Sequence, residues 1–161
     1  MRNRLLLPVA LSVLLLQAVL AQCQQLAIQT DTGKPTVLTR VDIEALPHVK
    51  VSTGTSGASG TYEGVSLEAV LEKAGVGVGE TLKGKRLASC LLVEAADGYR
   101  VVIGLPELDP AFTDKQVVLA FLKDGKPLDE KEGPYRIVIP EEKRMARWVR
   151  QVTTLKIVDV Q

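Results

Sequence analysis

The period of the apolar positions changes along this chain. In "SLEAVLEKAG", residues 66–75, Leu67, Val70, Leu71 and Ala74 fall at i, i+3, i+4 and i+7, the spacing that lines one face of a helix. Ser66 stands where an N-cap hydroxyl accepts a backbone N–H, and Gly75 where a left-handed residue closes a helix. Thr39 offers a second N-cap, for a short helix in "RVDIEAL" (40–46) with Asp42 in its first turn and Pro47 ending it. Elsewhere β-branched and aliphatic residues dominate. "QLAIQT" (25–30), "PTVL" (35–38), "HVKVST" (48–53), "RLASCLLVEA" (86–95), "YRVVIG" (99–104), "QVVLAFLK" (116–123), "YRIVIP" (135–140) and "TTLKIVDV" (153–160) all read as strands.

Turn residues separate these runs. A turn is expected at Thr32-Gly33-Lys34, and Asp97-Gly98 and Asp124-Gly125 read as hairpin turns, because both residue types tolerate positive φ. "GTSGASG" (54–60) reads as a loop, as do the alternating glycines Gly75, Gly77 and Gly79, which are too closely spaced for a dinucleotide fingerprint. In the hairpin "VEAADGYRVVIG", Tyr99, Val101 and Ile103 share one face and are expected to support the core, with Arg100 and Val102 opposite. No repeat or low-complexity linker divides the chain. The expected fold is α+β, a single mixed-β domain with few short helices and a β-rich C-terminal half.

The first 21 residues stand apart. "MRNRLLLPVALSVLLLQAVLA" has a basic start (Arg2, Arg4), an apolar run interrupted by Pro8, Ser12 and Gln17, and small residues at Val19 and Ala21. That pattern is a secretory signal peptide cut after Ala21, and the run is short for a membrane span. The expected organisation is signal peptide 1–21 and domain 22–161, exported to the periplasm or outside the cell. Lipid anchoring through Cys23 is the alternative, disfavoured by Gln22 in front of it. Without the leader, 18 basic residues face 19 acidic ones. A charge so close to balance draws the domain neither to nucleic acid nor to an anionic membrane. Cys90, among apolar neighbours in "RLASCLLVEA", is expected to be a buried free thiol rather than the partner of Cys23.

Candidate chemistry is sparse. His48 is the sole histidine and has no second ligand near it in sequence, so no metal site is expected. There is no G-x-S-x-G elbow and no phosphate-binding loop, so no catalytic residue is assigned. Glu107, Asp109 and Asp114 read as solvated surface carboxylates. In "PEEKRMARWVRQ", Lys143, Arg144, Arg147 and Arg150, with Arg136 before them, gather positive charge. These residues form either a rim balanced by Glu141 and Glu142 or an anion site, for which guanidinium forks are well suited.

Taken in order, "YEGVSLEAVLEKAGV", "VEAADGYRVVIGLPEL", "VVLAFLKDGKPLDEKEGPYRIVIP" and "RWVRQVTTLKI" resemble the molybdopterin-binding domain of the sulfite oxidase-like oxidoreductases over Tyr62 to Val158. The resemblance implies that the hairpin around Asp97-Gly98-Tyr99 is architectural. It also implies that Gly133-Pro134, Arg136, Arg147 and Trp148 stand at the anion-handling end, with Arg136, Arg147 and Trp148 as cofactor-binding residues and Arg147 toward the pterin phosphate. The "EEKRMA" stretch departs from the family in lacking a glycine-containing loop there. A second departure concerns molybdenum, which the family holds through a cysteine thiolate. The matching region, "KVSTGTSGASGTYEGVSL", contains Ser52, Thr53, Thr55 and Ser56 and no cysteine, and hydroxyls are poor substitutes for a soft ligand. Cys90 lies on a different strand. Molybdopterin is thus possible by resemblance with its molybdenum thiolate ligand absent. Two functions follow: a catalytically silent exported module that binds a small anionic ligand or a protein partner, or a molybdopterin-dependent oxidoreductase with an atypical metal site.

Overall fold

The computed structural model describes residues 25–30, 33–54, 57–78 and 82–159. The leader, Cys23, Thr32 of the first predicted turn, Thr55, Ser56 and Gly79 lie outside the described residues.

The described residues begin with β1 (Leu26–Gln29) and β2 (Thr36–Leu38), an antiparallel pair, and then α1 (Arg40–Glu44). Thr39 caps α1 as predicted: its hydroxyl accepts the Asp42 N–H at 3.2 Å, and the Asp42 carboxylate accepts the Thr39 N–H at 2.9 Å. The helix ends at Glu44, two residues earlier than the pattern predicts. β3 (His48–Thr53) pairs antiparallel with β4 (Gly60–Ser66), which leads without a loop into α2 (Leu67–Lys73).

α2 follows its sequence closely. The Ser66 hydroxyl accepts the Ala69 N–H at 3.1 Å, and Leu67, Val70 and Leu71 are fully buried. At the far end Gly75 takes φ +82° and the Val76 N–H reaches the Leu71 carbonyl at 2.9 Å, a closure that a left-handed residue makes possible.

A 3₁₀ segment at Gly84–Ala88 precedes β5 (Cys90–Ala95), so the predicted strand 86–95 is a strand in its second half alone. β5 turns back into β6 (Arg100–Gly104), and a second 3₁₀ turn covers Leu105–Leu108. β7 (Val118–Lys123), β8 (Lys126–Pro127) and β9 (Arg136–Val138) follow, then a 3₁₀ turn at Met145–Arg147 and β10 (Val152–Val158). The two hairpin turns differ. Asp124 and Gly125 both take positive φ, 50° and 75°, whereas at Asp97-Gly98 only Gly98 does. Asp97 instead turns its carboxylate onto the Tyr99 N–H at 2.9 Å.

Two sheets result, one in the order β2-β1-β10-β5-β6 and one in the order β3-β4-β7-β8, with β9 also paired to β7. The last strand is inserted between β1, to which it is parallel, and β5, to which it is antiparallel. One buried cluster takes Leu26, Ile28, Leu91, Ile103 and Leu155 from the first sheet, Val51, Tyr62, Val65, Leu119 and Ile137 from the second, and Leu67, Val70 and Leu71 from α2. The predicted α+β single domain is this arrangement.

The central strand β4 is absent from the sequence prediction. Its register shifts between Glu63 and Gly64, so Tyr62 and Val65, three residues apart, both point into the core. A bulge of this kind destroys the two-residue period by which a strand is read. β10 does the same between Val152 and Thr154, which buries Val152 and Leu155 together.

Candidate functional site

Arg136, Arg147 and Trp148, the predicted binding residues, come from β9 and from the turn before β10. Two backbone bonds hold these segments side by side: the Ile137 N–H reaches the Val149 carbonyl at 2.8 Å, and the Val152 N–H reaches the Tyr135 carbonyl at 3.0 Å.

Arg136 is a core residue, 4% exposed. Its guanidinium carbon lies 5.5 Å from the centroid of Tyr62 and 5.7 Å from that of Trp148, and these two rings meet edge to face at 6.3 Å. Its Nη1 donates to the Glu132 carboxylate, and to the Tyr62 hydroxyl at 3.2 Å. Lys123 Nζ also stands over the Tyr62 ring, 5.3 Å from its centroid. Two buried donors of this cluster, Arg136 Nε and Trp148 Nε1, have no acceptor among the described residues. Trp148, Tyr99, Met145 and Arg150 line a cavity of about 210 Å³, which Arg136 does not line.

Arg147 is placed differently, beside β6, the outer strand of its sheet among the described residues. Its Nη1 and Nη2 donate to the two oxygens of Glu107 at 3.2 and 3.0 Å, a two-pronged pair. Its Nε donates to Glu142 Oε1 at 2.7 Å, and Nη2 bonds the same oxygen. Nη1 also reaches the Val102 carbonyl of β6 at 3.5 Å. The Glu107 hydrogen bond, reinforced by Glu142, raises the pKa of Arg147 further, and Arg147 in turn holds the Glu107 carboxyl below its ordinary value.

Glu107 and Asp109 are therefore not solvated carboxylates. Glu107 is half-buried and paired, and Asp109 is 2% exposed, with Oδ1 accepting the Ala111 N–H at 2.8 Å. Glu107 is the residue that sequence reasoning missed at this site; the signal available was the Leu-Pro-Glu segment directly after a strand. Tyr99 also departs from prediction. It is 49% exposed, and its hydroxyl donates to the Ala146 carbonyl at 2.7 Å, tying the hairpin to the basic turn rather than filling the core.

The remaining candidates lie apart from this site. His48 is on the edge strand β3, its ring nitrogens facing Glu63 and the Glu44 carbonyl, each at 3.0 Å. Cys90 on β5 is half-buried rather than buried, opposite Gly104 and Val158. Among the described residues, no three His, Cys, Asp or Glu side chains converge as a metal site would require.

Known proteins supply the context. The crystal structure of the sulfane dehydrogenase SoxCD from Paracoccus pantotrophus shares this fold with a TM-score of 0.64 and 24% identity, covering 85% of this chain and 38% of that one. This chain thus spans well under half the length of that protein. No curated protein sequence matches. The family model described as oxidoreductase molybdopterin binding domain matches residues 16–161. With the match running over most of its length, the chain belongs to the oxidoreductase molybdopterin-binding domain family.

Proposed function

We propose that this chain is an exported module of the molybdopterin-domain fold that has no molybdenum–thiolate centre and binds a small anionic ligand at the end of the fold that carries Arg136, Arg147 and Trp148. The observation that carries this reading is the pair of buried donors, Arg136 Nε and Trp148 Nε1, with no acceptor among the described residues. Each buried donor left without an acceptor costs roughly 1–3 kcal/mol. An oxyanion carried in the cavity that Trp148 lines would sit beside a cluster that already bears guanidinium charge.

The residues suit the two parts of molybdopterin unequally. Arginine donors suited to its phosphate are present, although each is engaged by a carboxylate of the chain. A soft ligand for its metal is a different matter. In the region where the resemblance places the thiolate, Ser52 bonds the Thr61 hydroxyl at 3.0 Å, and Cys90 belongs to the other sheet. Export is supported by the basic, apolar and small-residue pattern of residues 1–21. Among the described residues no helix is long and apolar enough to cross a membrane.

Family membership favours a second reading, a molybdopterin-dependent oxidoreductase whose metal shell is completed by a partner chain. Metal analysis of the protein, produced in cells supplied with the cofactor, separates the two: stoichiometric molybdenum lost on Cys90→Ser would overturn the first. Calorimetric titration with inorganic phosphate tests the anion site. Trp148→Phe keeps an aromatic ring, though a smaller one, and removes the donor, and should weaken binding about ten-fold. Affinity indifferent to both Trp148→Phe and Arg147→Gln would refute it. The mass of the mature chain tests cleavage after Ala21.

A further inference from the structure

The loop that leads into β7 holds an aromatic ring out of the fold on a fixed support. Asp109 is 2% exposed; its carboxylate accepts the Ala111 N–H at 2.8 Å, and its carbonyl accepts the N–H groups of Phe112 at 2.9 Å and Thr113 at 3.2 Å. Phe112 stands on this turn 54% exposed. Pro110, two residues before it, joins Val49, Leu108 and Val117 in the apolar wall of a cavity of about 170 Å³, which Phe112 itself does not line. Apolar cavities of about 150 Å³ admit a benzene ring. Glu68 and Lys115 bring charge to the lining. Glu68 is half-buried: burial, then the Glu72 and Asp109 charges, raise its carboxyl above the ordinary value, and among the described residues no cation is paired with it. Lys115 is exposed, its Nζ 3.7 Å from Glu107.

We infer that this face joins two copies of the chain about a two-fold axis, each Phe112 entering the cavity of the other copy and each Lys115 meeting the other copy's Glu68. A two-fold interface sets one patch against itself, so the patch must carry both members of every contact. This one carries a protruding ring and an apolar cavity, a mobile-stemmed cation and a carboxylate without a counter-charge. The turn fixed by Asp109 sets the direction of the loop before association, so less conformational freedom is lost on contact. The ring, desolvated in a pocket, then acts as the aromatic anchor of the interface. Lys115 of the other copy supplies the positive charge that the described residues around Glu68 do not.

Sedimentation velocity of the full mature chain over a concentration series tests this. The unaltered protein should dimerise reversibly, and Phe112→Ser should weaken the dimer about thirty-fold, the loss of one aromatic anchor. Because the ring is exposed in the single copy, the unfolding midpoint of that variant at low concentration should not move. Glu68→Lys and Lys115→Glu should each weaken the dimer, and the two changes in one chain should restore it, since the exchanged charges meet again across the axis. A protein that stays monomeric at every concentration overturns the inference, as does a dimer indifferent to Phe112→Ser. Single charge reversals that weaken the dimer without rescuing each other overturn the contact between Lys115 and Glu68.

Discussion

A Cβ built on Gly64 would lie 2.2 Å from the carbonyl oxygen of Leu119, and 2.6 Å from the Cα of Ala120. The bulge in β4 brings its backbone against β7 so closely that there is space for hydrogen only.

Gly64→Ala should therefore force the two central strands of the second sheet apart. A backbone collision of this kind exceeds ordinary overpacking, so the loss should be about 3 kcal/mol or more. Gly54→Ala is the control, since a Cβ there meets nothing within 4 Å. Chemical denaturation of both variants checks this; equal midpoints would mean that β4 and β7 can separate freely.

Leu71→Ala should cost roughly 2–5 kcal/mol, because the side chain is fully buried on the inner face of α2 and its loss leaves a cavity. An unchanged unfolding midpoint would make α2 peripheral to the core.

The Arg136–Glu132 pair is nearly sealed from water, with side chains 5% and 18% exposed. Removing one member of such a pair strands the other charge, so Glu132→Gln should lower stability by about 3 kcal/mol. Replacing both, as Glu132→Gln with Arg136→Met, should recover part of that loss. If the double variant is less stable than the sum of the single changes, the guanidinium stabilises the fold through Tyr62 and Trp148 rather than through Glu132.

His48 should titrate above its ordinary 6.5, because the Glu63 carboxylate and then the Glu44 carbonyl accept from its ring. Its contribution to stability is complete below 6.5 and disappears as pH rises through the raised value. Glu63 is shifted the other way, held below 4.5 first by His48 and then by Lys50, so its contribution is present above 4.5 and fades as pH falls through the lowered value. The pair is thus most stabilising between the two. Proton NMR of the His48 ring in the unaltered protein and in Glu63→Gln measures it, and a titration that Glu63→Gln leaves unmoved would rule the interaction out.

Local chemistry was legible in the sequence wherever a few neighbouring residues decide it. Ser66, Thr39 and Gly75 cap helices because a hydroxyl or a missing Cβ acts on backbone groups within a few positions, and the α2 stripe reports its own buried face. The β-rich composition determined the α+β class, and the order of the motifs pointed to the family.

Tertiary structure alone decided where the charges went. Arg147 stands 40 residues from Glu107, and only the pairing of β5 with β6 and the path of the basic turn beside that edge bring them together. Arg136 reads as a surface residue by type, yet 74 residues separate it from the Tyr62 hydroxyl against which it is buried. The strand β4 escaped notice because its bulge acquires a register only against β7. Helix caps and apolar stripes are local free-energy choices that a short window records. Ion pairs, bulges and strand order depend on which distant segments share the core, and that is settled by the packing of the whole chain.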